Sequence, residues 1–150
     1  MNWNENKSLI LTHIFVIIFS GALIIGCILA PLIFNVFTGY RGGYLLDKTP
    51  HFLVSTYTTA VPAAIVLYSL HRLLANLRSE KIFIIQNVTY LRRISWCCFV
   101  AAVIFLVSSF YYLPFVFLMV AAAFMGLILR VLKNTFERAV MLQEENDYTI

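Results

Sequence analysis

Residues 8–37 read SLILTHIFVIIFSGALIIGCILAPLIFNVF, and the stretch holds no Lys, Arg, Asp or Glu. An α-helix needs about 20 apolar residues to cross the hydrocarbon core of a bilayer. This run exceeds that length and sets the class: an integral membrane protein is expected. Within it, Ile24-Ile25-Gly26-Cys27 matches a loose lipoprotein cleavage pattern. The apolar run before it is longer than the ~7–15 residues of a signal core, and the chain after Cys27 stays apolar instead of becoming a polar tether. An uncleaved first helix is therefore expected.

The rest of the chain agrees. It has 150 residues, 61% hydrophobic and 12% charged, with a mean hydropathy of +0.86. A soluble domain carries about 25% charged residues, and a water-exposed fold of this size could not hide so much apolar surface. Three more apolar stretches cover residues 52–70, 94–113 and 114–129, the last extendable to 132 if Arg130 snorkels. Tyr111, Tyr112 and Pro114 divide the third stretch from the fourth, since one helix of both would be too long for any bilayer. The expected fold is all-α: a single membrane domain, residues 1–150, forming a compact four-helix bundle. Its spans are about 9–31, 52–71, 94–113 and 114–132.

Orientation follows from the basic residues. Arg72, Arg78, Lys81, Arg92 and Arg93 lie between the second and third spans, and Arg130, Lys133 and Arg138 near the end. The first opposite loop has Arg41 and Lys48, and the last hairpin none. The positive-inside rule places both termini, the loop 72–93 and the tail 133–150 in the cytoplasm. The net charge of +4 then reflects segments facing anionic headgroups, and direct nucleic-acid binding is not expected.

Local signals refine the picture. Ala22 and Gly26, like Ala122 and Gly126, have the four-residue spacing of close helix contacts. Pro31 is expected to end or kink the first helix, and Pro62 to kink the second. Gly39, Gly42 and Gly43 mark a loop, with Tyr40 and Tyr44 at the interface. Thr49-Pro50 suits a helix start. The second helix should run to about Ser79, and Asn87 is a plausible N-terminal signal for the third. Trp3, Trp96, Tyr111 and Tyr112 read as interfacial anchors.

Chemistry is sparse. Asp and Glu occur only at 5, 47, 80, 137, 144, 145 and 147, all outside the spans. A proton-coupled exporter usually needs an intramembrane carboxylate. His13, His51 and His71 are too dispersed by depth for a metal site. Cys27, Cys97 and Cys98 read as small packing residues. No nucleophile motif, phosphate loop or zinc spacing appears, so no enzyme activity, catalytic residue, cofactor or metal is expected.

The end of the chain is different. Leu132, Phe136, Ala139 and Val140 recur at helical spacing, and Lys133 and Glu137 stand four apart. The fourth helix should continue as an amphipathic extension. Glu144, Glu145, Asp147 and the terminal carboxylate carry −4, while the loop sets five basic residues against Glu80 for +4. Two readings stay open. The acidic end folds back on the basic loop, or it docks a cytoplasmic partner.

Residues 77–96 (LRSEKIFIIQNVTYLRRISW) and 129–150 (LRVLKNTFERAVMLQEENDYTI) together resemble the bacterial membrane family called domain of unknown function 2975. The pattern falls on Phe83, Asn87, Leu91 and Arg92, and on Phe136, Leu142, Glu144, Glu145, Asp147, Thr149 and Ile150. Ile82 stands where the family commonly has Pro, and Ala139 where it commonly has Gly. The resemblance implies a four-span fold and a partner, since such proteins are often encoded beside a small helix-turn-helix regulator of the Cro/C1 type. On that reading the docking residues are Arg78, Arg92 and Arg93, Glu144, Glu145 and Asp147, with Phe83 and Phe136 as apolar anchors. The alternative is a small transporter, channel subunit or immunity-type protein. It would work through the spans near His13, Cys97, Cys98 or Pro62, and a polar cavity at mid-depth would support it. A homo-oligomer stays open.

Overall fold

The computed structural model describes residues 3–41 and 43–149, and the side chains of residues 3–6, 41, 44 and 46 lie outside that description. The expectations for Trp3, Arg41, Gly42, Tyr44 and Ile150 fall there. Four long helices make up the fold: α1 (Trp3–Arg41), α2 (Thr49–Arg78), α3 (Ile85–Ser109) and α4 (Phe115–Tyr148), with a short 3-10 helix (Gly43–Lys48) between the first two. Each of the four is long and apolar enough to cross a membrane.

Burial is inverted relative to a soluble protein. The most enclosed side chains include Ser69, Asn87, Ser95 and Ser108, while Ile28 is 72% exposed and Phe117 80%. Large apolar side chains cover the outside of all four helices. Soluble monomers rarely show contiguous apolar patches beyond a few hundred Å2. Such a surface is stable against lipid, and small and hydroxyl residues are what membrane helices place between them. The chain is thus a multi-pass membrane protein.

The helices pack in chain order: α1 on α2, α2 on α3, α3 on α4. Among the described residues no backbone approach joins α1 to α3 or α4, or α2 to α4. The bundle is therefore looser than the expected compact one: the backbone of α1 approaches α2 and the 3-10 helix, and its Phe37 ring reaches Tyr112 of the hairpin. The reason is visible in the small residues. A Cβ on Gly126 would meet the Phe99 ring at 3.1 Å, so the α3–α4 pair uses that glycine for close approach. A Cβ on Gly26 would meet nothing within 4 Å. The Ala22–Gly26 pair lines an apolar crevice instead of a helix contact.

Two expectations about α1 are corrected. It does not end at Pro31 but runs ten residues further, through Gly39 to Arg41. Proline lacks the N–H that would bond the carbonyl four residues back, here that of Cys27. The Tyr57 hydroxyl of α2 donates to that carbonyl at 3.1 Å. A freed backbone group in hydrocarbon needs such a replacement, so the helix continues. Pro62 likewise lies inside α2.

The two ends of the bundle are built differently. At the hairpin end, residues 110–114, Phe52 is 2% exposed at the centre of a ring cluster with Phe34, Phe37, Tyr111, Tyr112 and Phe115. Tyr111 is less an anchor in the interface than a clamp. Its hydroxyl lies 2.7 Å from Ser55 Oγ, which is itself 2.6 Å from Ser108 Oγ. The opposite end, with the loop 79–84 and the last turns of α4, carries the candidate site.

Candidate functional site

α2 ends in a Schellman turn. Glu80 N–H donates to the Leu77 carbonyl and Lys81 N–H to that of Asn76, with Glu80 at φ 59°. The chain then crosses to α3, whose N-cap is Ile84. Asn87 is not the cap. It sits in the first turn, 0% exposed, and its side chain ties three segments together. Its Oδ1 accepts from Asn76 Nδ2 at 2.8 Å, and its Nδ2 donates to the carbonyls of Lys81 and Ile82 at 2.8 Å each. Only an –NH2 group serves two carbonyls, so the amide orientation is fixed by the network. Val88, Leu91, Ile94 and Ser95 continue the buried face of α3 at helical spacing.

This rigid corner receives the tail. The Phe83 ring lies 6.0 Å from that of Phe136. Val140 is buried. Glu137 bonds Lys133 Nζ at 2.6 Å and Arg92 Nη2 at 3.5 Å. The Lys133 hydrogen bond, with the charges of Lys133 and Arg92, holds the Glu137 carboxylate below its ordinary range. It stands beyond the apolar stretch that ends at Leu132. The Arg130 guanidinium lies 5.4 Å over the Trp96 ring.

Of the sequence-predicted residues, Phe83, Phe136 and Arg92 are thus brought together. Arg78 and Arg93 are exposed and make no ion pair among the described residues. Glu144, Glu145 and Asp147 stand exposed on the last turns of α4, again unpaired among the described residues. The tail meets the loop end through Phe136 and Glu137, not through its acidic terminus. Asn76, Glu137 and the Arg130–Trp96 contact were not singled out in the sequence as site residues. The i,i+4 spacing of Lys133 and Glu137 was the one visible signal.

The spans hold a second set of features. His13 Nε2 lies 2.9 Å from His71 Nδ1, joining α1 to α2, so these two histidines are not dispersed. His51 is at the hairpin end, beside Tyr111. No group of three or more metal-type side chains occurs among the described residues. One crevice of about 340 Å3 is lined by Gly26, Cys27, Ala30, Thr59 and Phe115, and another of about 510 Å3 by Thr59, Pro62, Cys97, Cys98 and Ala122. Both are almost wholly apolar. The Thr59 hydroxyl, shared by the two, is buried and has no hydrogen-bond partner among the described residues.

No curated protein and no solved structure matches the chain. A family model does, over residues 30–150, from the last third of α1 through the Asn87 corner to the exposed tail. The chain therefore belongs to the family described as protein of unknown function (DUF2975).

Proposed function

We propose that the protein is a non-enzymatic component of a bacterial cell membrane whose loop end faces the cytoplasm. There it acts on a small helix-turn-helix transcription regulator, holding it at the membrane or passing it a signal. One observation carries this reading. Residues 141–148 are all exposed, yet they prolong a helix whose base is pinned by Phe83–Phe136 and by Glu137 with Lys133 and Arg92. A rooted acidic helix offers Glu144, Glu145 and Asp147 as a surface, and proteins that bind nucleic acid carry the basic faces that complement it. The basic balance of the loop supports the cytoplasmic orientation.

The test is a crosslinked pull-down from native membranes with two baits, the full chain and one ending after Leu142. That truncation keeps buried Val140, and every described residue it removes, 143–149, is exposed. Capture of a helix-turn-helix protein by the full chain alone is the expected result. Equal capture by both baits, or capture by neither, overturns the reading.

The second reading, action through the spans, is favoured by the Thr59 hydroxyl, without a partner among the described residues, in the crevice beside Pro62, Cys97 and Cys98. The apolar lining fits a lipid chain or an apolar ligand better than an ion path, which needs polar groups along its length.

A further inference from the structure

Between α3 and α4, at the depth where both lose their apolar character, lies a cavity of about 220 Å3 lined by Arg92, Ser95, Trp96, Arg130 and Lys133. Its lining is mostly polar, unlike that of the two apolar crevices described above. Three cations surround it. One carboxylate, Glu137, touches two of them, and Arg130 makes no ion pair among the described residues. Two positive charges are therefore left over around one small space. Lys133 is in addition mostly enclosed, its side chain 13% exposed.

The donors define the ligand. Two guanidinium groups and an ammonium offer only N–H donors, and Ser95 Oγ already spends its proton on the Gly126 carbonyl at 2.9 Å. Such a set needs an anion with several acceptor oxygens, and a phosphate group meets a guanidinium fork in two places at once. The volume is many times the 10–15 Å3 that one water requires, enough for a phosphate and bound water. Gathering like charges around a partly enclosed space is costly unless an anion completes it.

The surroundings choose the source of the phosphate. Trp96 in the lining, and Val100, Leu127 and Val131 within about one helical turn of Trp96 and Arg130 along α3 and α4, are exposed and apolar. A ligand whose phosphate is held by Arg92, Arg130 and Lys133 would have a greasy surface directly below it. We infer that this cavity binds the headgroup phosphate of an anionic phospholipid, with its acyl chains lying along the α3–α4 face. Basic pockets between membrane helices recognise lipid headgroups by this chemistry. The inference holds whether or not the tail binds a regulator.

Trp96 supplies the assay. The chain has two tryptophans, Trp3 and Trp96, so Trp3→Phe leaves one reporter under Arg130. The full chain is reconstituted into vesicles of phosphatidylcholine and phosphatidylglycerol, one lipid at a time brominated near the headgroup end of its chains. Quenching gives the relative association constant at Trp96. A preference for phosphatidylglycerol on the order of ten-fold is expected, unchanged by excess inorganic phosphate. The triple variant Arg92→Gln, Arg130→Gln, Lys133→Gln should bring the ratio near unity. Arg130→Gln alone, which breaks no ion pair, should lower it about three-fold. The charge-keeping variant Arg92→Lys, Arg130→Lys, Lys133→Arg should retain a preference and shows that the fold tolerates change there. Equal quenching by the two lipids in the parent overturns the site. So does a full preference in both Gln variants. Loss of the preference on adding inorganic phosphate would assign the pocket to free phosphate and overturn the lipid assignment.

Discussion

Tyr57→Phe removes one oxygen from the molecule, and the structure says what that oxygen does. It caps the Cys27 carbonyl that Pro31 leaves open, across 3.1 Å between α2 and α1. The phenylalanine ring keeps the packing, so the loss is the hydrogen bond and the orphaning of an acceptor in hydrocarbon. Interhelical hydrogen bonds in membranes average about 0.6 kcal/mol and reach about 1.7. An unpaired carbonyl without water pushes the cost toward the upper part of that range. About 1 kcal/mol is expected. The partner variant is Pro31→Ala. Residue 31 then has an N–H, the Cys27 carbonyl can be satisfied within α1, and Tyr57→Phe should cost nearly nothing. The coupling in the double-mutant cycle is therefore about 1 kcal/mol. Reversible unfolding of the detergent-solubilised protein by added SDS, followed by far-ultraviolet circular dichroism, measures all four variants. If Tyr57→Phe costs the same in both backgrounds, to within about 0.3 kcal/mol, the hydroxyl does not serve Pro31 and the reasoning is refuted.

The same unfolding assay checks three further outcomes. Asn87→Ala deletes three hydrogen bonds at a fully enclosed position and should cost about 2–4 kcal/mol; Asn87→Asp should not rescue it, because a carboxylate would face two carbonyls. Gly126→Ala sets a methyl 3.1 Å from the Phe99 ring and should be less stable than Gly26→Ala by about 1 kcal/mol or more, whereas Gly26→Ala, with open space around it, should gain about 0.5–1 kcal/mol from helix propensity. Glu80→Gly relieves the left-handed turn after α2 and should stabilise by about 1 kcal/mol.

Composition carried the coarse fold into the sequence because lipid is a simple solvent. It demands long apolar helices, and residues 8–37 could hardly be anything else. The break at Tyr111, Tyr112 and Pro114 was legible for the same reason, since bilayer thickness limits helix length; α3 ends at Ser109 and α4 begins at Phe115. Helix ends were less legible. Pro31 and Gly39 are local breakers, but the tertiary hydrogen bond from Tyr57, 26 residues away from Pro31, overrides the local rule. Asn87 was legible as a polar residue near a helix start. Its task as a buried clamp depends on Asn76 arriving from α2, which no local pattern encodes.

Rotation of each helix about its axis was the least legible quantity, and it decides every polar contact. Ala22–Gly26 and Ala122–Gly126 have the same spacing in the sequence. One lines an open crevice and the other lies against Phe99, because the motif states that a close approach is permitted and not which neighbour arrives. His13 and His71 are 58 positions apart and meet at 2.9 Å only because α1 and α2 are antiparallel with those residues turned toward each other. In a soluble helix the apolar stripe reports rotation. Here lipid accepts apolar residues on every side, so hydropathy is silent about which face is inside. The signal that remains is polar: Ser55, Ser69, Ser95 and Ser108 are all turned toward neighbouring helices. In this protein these serines, not the apolar pattern, mark the inward faces. The acidic tail is the converse case. Beyond Leu132 charged residues return to the sequence, the apolar stripe becomes informative again, and Phe136 and Val140, two residues of that stripe, pack inward.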